Sequence, residues 1–527
     1  MWNAGWRDAL WAELDRTEWD LIVIGGGITG AGILREAVRM GLRCVLFEAH
    51  DFASGTSSRS SKLVHGGLRY LKDAKIRLTS ESVHEREQLL KEGRGLVMPL
   101  PFLMANFHGD RIPAWAFGIG LSLYDLLALK WNHAAYSPAG LRELCPQLTS
   151  PDLVSGFRYF DAQTDDARLV LRVLQEAVHA GASALNYARV DGFLKINRRK
   201  VCGVIVRDLA PGFKERILEV RGRVVINASG AWADELRCQN GGRSRLRILR
   251  GSHLFFPWQK LPLTRAVTFL HPLDGRPVFV LPWEGVTLIG TTDMDHHSRL
   301  VTDLAISHEE RNYLMEAIQY AFPNLGLQSA DVQSSLAGVR AVVDTGKANP
   351  SKESREFVLW LENGLLTVSG GKLTTFRVMA HKALQAVRAM LPGRSELGSN
   401  QRVLDPLPAE GNLCDLPVEL RLRLLGRYAG SACDLAAAAQ PGEMESIAGA
   451  LPLWAELRWA AREEGVIHLD DLLLRRVRLG LLLPGGGLGQ LDRVRSIVQP
   501  ELGWNDARWL QEADDYQRTW QAYYSPV

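Results

Sequence analysis

The sequence lacks the cysteine spacing that metal centres and redox pairs require. Its six cysteines are scattered through 527 residues, and none stands in a CxxC or CxxH arrangement: Cys44, Cys145, Cys202, Cys238, Cys414 and Cys433. We therefore expect reduced thiols, no metal site and a cytosolic setting. Residues 1–18 also lack the apolar core of a secretion signal, because they mix charged residues with tryptophans.

The chain has neither an excess of charge of one sign nor a long hydrophobic run. With 62 basic and 59 acidic residues its net charge is +3, which provides no broad field for nucleic acid. The most apolar stretch, residues 113–129, is shorter than the ~20 residues of a bilayer-spanning helix and contains Pro113 and Asp125. The pattern alone favours a buried core helix over an interfacial helix that lies in one leaflet, with Arg111 and Lys130 at its ends.

Glycine, by contrast, is placed where a dinucleotide fold needs it. Residues 19–30 form an apolar strand that breaks into a Gly-x-Gly-x-x-Gly turn and opens a helix. Gly25 permits the sharp turn, Gly27 the close approach of a pyrophosphate, and Gly30 the close packing of helix on strand. The next apolar strand ends at Glu48, whose carboxylate can accept the adenosine ribose hydroxyls and would repel a 2′-phosphate. The motif predicts a dinucleotide site that disfavours NADP.

Apolar periodicity indicates an α/β region, then further sheet, then helices. Strands are predicted at residues 19–24, 44–47, 201–206, 216–226, 265–270, 277–282 and 285–290, and helices at 169–180, 372–391, 420–428, 453–464, 469–483 and 507–523. Residues 224–232 are typical of a late strand of the nucleotide fold, so we expect the cofactor domain to be discontinuous. The glycine run at 484–489 lacks the lysine of a P-loop and predicts an ordinary loop.

These patterns divide the chain into four predicted parts. Residues 1–18 form an N-terminal extension, and residues 19–391 form an oxidoreductase region whose cofactor and substrate domains are interleaved. Prolines and glycines gather at residues 392–417, which predicts a linker. Residues 418–527 form a C-terminal helical domain.

Two longer segments resemble the signatures of the FAD-dependent glycerol-3-phosphate dehydrogenases. They are residues 54–71, Ser-Gly-Thr-Ser-Ser-Arg-Ser-Ser-Lys-Leu-Val-His-Gly-Gly-Leu-Arg-Tyr-Leu, and residues 368–377, Val-Ser-Gly-Gly-Lys-Leu-Thr-Thr-Phe-Arg. Shorter matches follow the family's order at residues 225–232, 251–253, 290–293 and 338–340. The resemblance runs from about Asp20 into the C-terminal helices, and residues 1–18 lie outside it.

The resemblance implies an α/β (α+β) fold with a Rossmann-type FAD-binding domain, a discontinuous β-rich substrate domain and a C-terminal helical domain. It implies a membrane-associated flavoenzyme that oxidises sn-glycerol 3-phosphate to dihydroxyacetone phosphate and passes two electrons to quinone. The residues expected to bind FAD are Gly25, Gly27, Gly30, Glu48, Ser57, Ser58, Ser61, Gly230, Gly371, Leu373 and Thr374. A hydroxyl-rich turn can bond flavin phosphates and ribityl hydroxyls without adding charge, the alternative being a solvated loop.

A phosphate dianion needs several fixed donors, and arginine suits it best. Carried over from the family, Arg340, Arg355 and Lys372 surround the substrate, with Arg69 and Tyr70 close to it.

Arg340 is expected to polarise the reacting hydroxyl and to bind substrate. The group expected to accept the proton of the substrate hydroxyl is His65 or His253, although either histidine could equally be a buried residue with its hydrogen bonds satisfied. The family usually has proline after this arginine, where the chain has Ala341, and a polar loop, residues 344–354, leads from there to Arg355.

The family also changes the interpretation of residues 113–129, because quinone lies in the bilayer. We then expect a monotopic anchor in the inner leaflet of the cell membrane, on its cytoplasmic face. The sequence is compatible with a homodimer, and no nucleic-acid partner is expected. Two rival functions are an FAD-dependent amine or amino-acid oxidase or dehydrogenase, and a catalytically silent flavoprotein.

Overall fold

The computed structural model describes residues 2–68, 76–128, 131–213, 216–347, 353, 356–393 and 402–526. Elements are numbered below in chain order over these residues. Part of the predicted linker, residues 394–401, lies outside the described residues.

The first sheet carries the glycine turn. Its described strands are β1 (Trp19–Ile24), β2 (Cys44–Phe47), β7 (Ser183–Leu185), β8 (Ala188–Ile196), β9 (Lys200–Asp208), β10 (Ile217–Asn227), β17 (Val358–Glu362) and β18 (Leu365–Ser369). The order β18-β10-β1-β2-β7 is parallel throughout, and β17 adds antiparallel at one edge. The first half of β10 pairs instead with β9 in an antiparallel meander. The central strands β1 and β2 are buried along their whole length and, apart from Asp20, consist of apolar residues.

Helices cover this sheet, among them α1 (Trp6–Leu14), α2 (Ile28–Arg39), α3 (Ile76–Glu92), α6 (Asp166–His179), α7 (Ala233–Gln239) and α9 (Phe376–Val387). Helix α2 packs between α6 and α9 and is buried from Gly30 to Val38. The N-terminal residues join the same core: Trp2 donates to the carbonyl of Ala184 at 3.1 Å, and the buried guanidinium of Arg7 donates to the carbonyl of Asn186 at 2.8 Å.

The second sheet is mainly antiparallel and forms the opposite wall of the site. Its described strands are β3 (Leu63–Val64), β4 (Val97–Phe107), β5 (Ala134–Tyr136), β6 (Leu153–Thr164), β11 (Leu246–Pro257), β12 (Ala266–Leu270), β13 (Pro277–Trp283), β14 (Val286–Gly290), β15 (Met294–Asp295) and β16 (Ser334–Val343). Helices α4 (Ala114–Ala128), α5 (Pro138–Leu144) and α8 (His308–Ala321) accompany it. Long β11 pairs with β16 over ten residues, which brings His253 and Arg340 onto neighbouring strands.

The C-terminal part is helical, with α10 (Val418–Tyr428), α11 (Ala432–Ala438), α12 (Trp454–Glu463), α13 (Leu479–Leu482), α14 (Leu491–Leu502) and α15 (Asp506–Tyr523). The helix predicted over residues 469–483 is not continuous. It consists of a π-helical turn, Asp471–Arg476, and the short α13, separated at Arg478, whose φ is +65°. In the glycine run, Gly485, Gly486 and Gly487 all have left-handed φ, so the segment turns sharply.

The predicted fold class is confirmed: two interleaved sheets with a Rossmann-type half, followed by helices. The predicted strands and most predicted helices agree with the structure to within a few residues. Among the described helices, none combines the length and apolar character needed to cross a membrane.

Candidate active site

A cavity of about 620 Å³ lies between the two sheets at the carboxyl ends of β1 and β2. This position, beyond the strand ends of an open α/β sheet, is where such folds bind nucleotides. Of the predicted site residues, the cavity is lined by Gly25, Gly27, Glu48, Ser57, Gly230, Arg340, Gly371, Lys372 and Leu373.

At one end of the cavity the glycine turn leaves no room for side chains. Gly25 has φ +112°, and a Cβ there would lie 2.5 Å from the carbonyl oxygen of Ala228. A Cβ on Gly30 would lie 1.9 Å from the carbonyl oxygen of Gly25, so this glycine serves helix packing and is not in the cavity wall. A Cβ on Gly27 would approach the Ser57 hydroxyl to 2.9 Å. The turn thus has the steric form predicted for a pyrophosphate cradle.

Glu48, predicted to bind the adenosine ribose, lines the cavity. Its carboxylate accepts the amide of Gly26 at 2.6 Å and the amide of His50 at 2.8 Å. Burial raises the pKa of Glu48, while these backbone hydrogen bonds lower it. The two amides fix the carboxylate at the cavity wall.

The serine turn, residues 54–62, separates its serines into two groups. Ser57 lines the cavity and accepts the amide of Ile28 at the start of α2, at 3.0 Å. Ser58 is buried, and Ser61 is bonded through its hydroxyl to Nε2 of His253 at 2.9 Å. Thr374 is buried as well, and these last three predicted contacts are not among the described residues that line the cavity.

The cavity is also lined by two of the cations predicted to bind the substrate. Arg340 lies on β16, and its Nη2 is 2.5 Å from Oδ1 of Asp293. Lys372 lies between β18 and α9 and donates to the Ser82 hydroxyl at 2.9 Å. Three other predicted substrate residues, Arg69, Tyr70 and Arg355, lie outside the described residues.

His253 lies on β11 and is 2% exposed. Burial, followed by the charges of Lys62 and Arg340, lowers its pKa to about 3, so its imidazole is neutral at ordinary pH. Its Nδ1 has no hydrogen-bond partner among the described residues. His65 is partly exposed, and its carbonyl accepts the Thr374 hydroxyl at 3.3 Å.

Sequence reasoning missed a buried carboxylate beneath this part of the site. Glu310 accepts the hydroxyls of Ser252 at 2.8 Å and Thr292 at 2.7 Å. These residues directly precede His253 and Asp293, so Glu310 ties the two segments together. The Ser-x-x-Glu pattern at residues 307–310 signals only the capping box that begins α8, which is present. Nothing local in the sequence indicates that the same glutamate supports the site.

Comparison with known proteins agrees with this geometry. Residues 20–377 match the FAD dependent oxidoreductase family, and residues 370–509 match the C-terminal domain of alpha-glycerophosphate oxidase. The chain is 33% identical over 496 residues to the aerobic glycerol-3-phosphate dehydrogenase of Staphylococcus haemolyticus, covering 89% of this chain and 88% of that one. It is 35% identical over 523 residues to the glycerol-3-phosphate dehydrogenase of Mycobacterium leprae, covering 94% and 87%.

A solved structure shares the whole architecture. The glycerol-3-phosphate dehydrogenase from Bacillus halodurans, complexed with FAD, aligns with a TM-score of 0.78 at 27% identity, over 100% of this chain and 99% of that chain. The side-chain-free glycine turn, the fixed carboxylate of Glu48 and the hydroxyl of Ser57 in one cavity suit a flavin dinucleotide. The chain therefore belongs to the family of FAD-dependent glycerol-3-phosphate dehydrogenases, and its cofactor is FAD.

Proposed function

We propose that the protein oxidises sn-glycerol 3-phosphate to dihydroxyacetone phosphate. The observation that carries the proposal is that Arg340 and Lys372 line the same cavity as the glycine turn. In the reaction the C2–H bond breaks as a hydride, the hydroxyl proton leaves, and a C2=O bond forms. FAD, when bound, supplies the two-electron acceptor for that hydride.

The phosphate of the substrate is a dianion that a pair of fixed cations can hold. Arginine offers a planar fork of donors, and lysine adds a compact charge. The ion pair with Asp293 fixes one side of the Arg340 guanidinium and so restricts its orientation. Arg69, Tyr70 and Arg355 remain predicted members of this site.

His253 is the better candidate for the proton acceptor. It is neutral, its Nε2 is tied to Ser61, and the charge of Arg340 contributes to its low pKa. A bound dianion offsets that charge and therefore raises the pKa of His253 when substrate is present. His65 remains the alternative, because it belongs to the same family signature.

Anaerobic flavin reduction tests the reaction directly. The FAD-loaded protein mixed with glycerol 3-phosphate should lose its absorbance at about 450 nm, and amino acids and amines should leave it yellow. Bleaching by an amino acid or amine would favour the amine or amino-acid oxidase, and persistent colour with every compound would favour a silent flavoprotein. In the same assay, slow bleaching by His253→Asn with normal bleaching by His65→Asn would assign the base, and the reverse result would reassign it.

We also propose that electrons pass on to membrane quinone and that α4 lies in the inner leaflet of the cell membrane. The helix has one buried face, which includes Leu121, Tyr124 and Asp125, and one exposed apolar face. Trp115 is 69% exposed, and Ile119 and Leu126 are each 63% exposed. A core helix would bury these side chains, whereas a helix lying in a leaflet would present them to lipid.

A further inference from the structure

A group of buried charges joins the serine turn to the C-terminal helices. We call it the junction cluster: Lys62, Asp165, Asp166, Arg427 and Arg478, each 2% exposed or less. Lys62 ends the serine turn, the two aspartates begin α6, and the two arginines come from the C-terminal part. Buried charges persist only when they are paired, so each contact in the cluster carries weight.

Asp166 is the centre of the junction cluster. It accepts Nζ of Lys62 at 2.8 and 2.9 Å, the amide and hydroxyl of Ser60 at 3.0 and 2.7 Å, and Nη2 of Arg478. Asp165 beside it accepts Nε of Arg478 at 3.1 Å and Nη2 of Arg427 at 2.9 Å. Both carboxylates lie at the start of α6, where the helix dipole favours negative charge.

The same cations hold the backbone of the serine turn. Lys62 donates from Nζ to the carbonyl of Ser58 at 2.7 Å, and Arg478 reaches that carbonyl at 3.5 Å. Ser57, the preceding residue, lines the cavity and bonds to the start of α2. The position of the cavity wall is therefore fixed by charges that lie outside the cavity.

The backbone at Arg478 is adapted to this contact. Its φ of +65° is a conformation that L residues rarely adopt, and the left-handed residue interrupts the predicted helix there. Glycine would meet this backbone requirement at lower cost, but it would provide no guanidinium. The guanidinium of Arg478 is thus the feature that explains an arginine at this position.

We propose that Arg478 is a positioning residue of the FAD site, through which the C-terminal helices hold the serine turn against the cofactor cavity. On this proposal the C-terminal part contributes to the cofactor site by holding the serine turn in place. The inference rests on the serine turn belonging to the FAD cavity and not on the identity of the substrate.

Replacing Arg478 leaves both aspartates paired, which makes the variant suitable for a test. Asp166 keeps Lys62, and Asp165 keeps Arg427, so no buried carboxylate loses its last cation. Arg458→Met is a matched control, because Arg458 pairs with Glu443 and Glu501, both within the C-terminal part. Ser60→Ala removes one hydrogen bond between the serine turn and the cluster, that from the Ser60 hydroxyl to Asp166, and leaves the contacts of the C-terminal arginines intact.

The measurement is the FAD dissociation constant, obtained by titrating each apoprotein with FAD in the absence of substrate. We expect Arg478→Met to weaken FAD binding about tenfold, Ser60→Ala about threefold, and Arg458→Met less than twofold. Arg478→Lys, which keeps the charge opposite Asp166, should recover part of the loss.

Three outcomes would overturn the proposal. They are unchanged FAD affinity in Arg478→Met, equal weakening in Arg478→Met and Arg458→Met, and a lysine variant that recovers none of the affinity. If Arg478→Met fails to fold, Arg478→Lys decides, because it keeps a cation opposite Asp166 but loses the guanidinium bonds to Asp165 and to the carbonyl of Ser58, and unchanged FAD affinity there would show that the site does not depend on them. Each result is independent of whether glycerol 3-phosphate reduces the flavin.

Discussion

Two parts of the cavity wall, which we call the glycine end and the cation end, are built from different chemical groups. The glycine end consists of backbone, with no space for a Cβ at Gly25 or Gly30. The cation end consists of side chains, with Arg340 held by Asp293 and Lys372 held by Ser82. The glycine end therefore selects its ligand by steric fit, and the cation end selects its ligand by charge.

This difference determines how each end should respond to substitution. An added atom that overlaps backbone cannot be accommodated by a rotamer change, so a defect at the glycine end should be nearly complete. The loss of one cation removes one charged hydrogen bond among several, so a defect at the cation end should be graded. The predictions below run from the largest expected effect on the cavity to the smallest.

Gly30→Ala should abolish FAD binding. Its Cβ would lie 1.9 Å from the carbonyl oxygen of Gly25, so the glycine turn would have to move away from α2. The ratio of flavin to protein absorbance in the purified protein measures the effect. Gly430→Ala is the matched control, because a Cβ at Gly430 meets nothing within 4 Å and its φ is not left-handed. A fully yellow Gly30→Ala protein would show that the turn is not limited by steric fit.

Arg340→Ala should bind FAD normally and lose about 1.5–3 kcal/mol of substrate interaction, which corresponds to roughly 10- to 150-fold in kcat/KM. Arg189→Ala removes another arginine of the cavity wall, one paired with Asp191 at 2.6 Å. We expect it to leave kcat/KM for glycerol 3-phosphate within twofold of the unsubstituted protein. Equal losses in the two variants would mean that overall cavity charge, and not Arg340, binds the phosphate.

The same contrast explains which features could be predicted from the sequence. The glycine end is one contiguous segment in which strand, turn, helix and Glu48 follow each other within thirty residues, so local pattern is enough. The cations and their neighbours come from separate segments: Arg340 from β16, His253 from β11 and Asp293 from the segment between β14 and β15. Only the family resemblance pointed to them. The support from Glu310 to Ser252 and Thr292 depends on sheet register, which no local pattern reveals.

The break at Arg478 shows why one helix prediction was wrong. Apolar periodicity over residues 469–483 is helical, because leucines recur at the right spacing. The chain leaves the helix where Arg478 must reach Asp165 and Asp166, more than three hundred residues away in sequence. A buried charge whose partner is distant thus overrides local propensity.

His253, which lies near Arg340, should make the stability of the protein sensitive to acid. Its pKa in the folded protein is about 3, below the ordinary value of about 6.5, so the unfolded chain takes up the proton first and stability falls as pH falls. The contribution is complete above about pH 6.5 and declines by about 1.4 kcal/mol per pH unit as pH falls towards 3.

Urea unfolding at pH 6.5 and 4.5 measures this contribution in His253→Asn and the unsubstituted protein. The variant should lose about 2–3 kcal/mol less between the two pH values. His65→Asn is the control and should retain the acid dependence of the unsubstituted protein. Parallel curves for all three proteins would argue against a neutral, buried His253.

The smallest effect on the cavity is expected from the exposed face of α4. Replacing Trp115, Ile119 and Leu126 by serine should lower binding to anionic lipid vesicles at least tenfold, because burying even half of three such side chains in lipid contributes about 2 kcal/mol or more. Anaerobic bleaching by glycerol 3-phosphate should be unchanged, since neither end of the cavity loses a contact. Leu361→Ser with Leu510→Ser removes exposed apolar side chains elsewhere and should retain vesicle binding. If that control releases the protein from vesicles equally, lipid contact is a general surface property, whereas loss confined to the α4 variant separates membrane docking from both ends of the cavity.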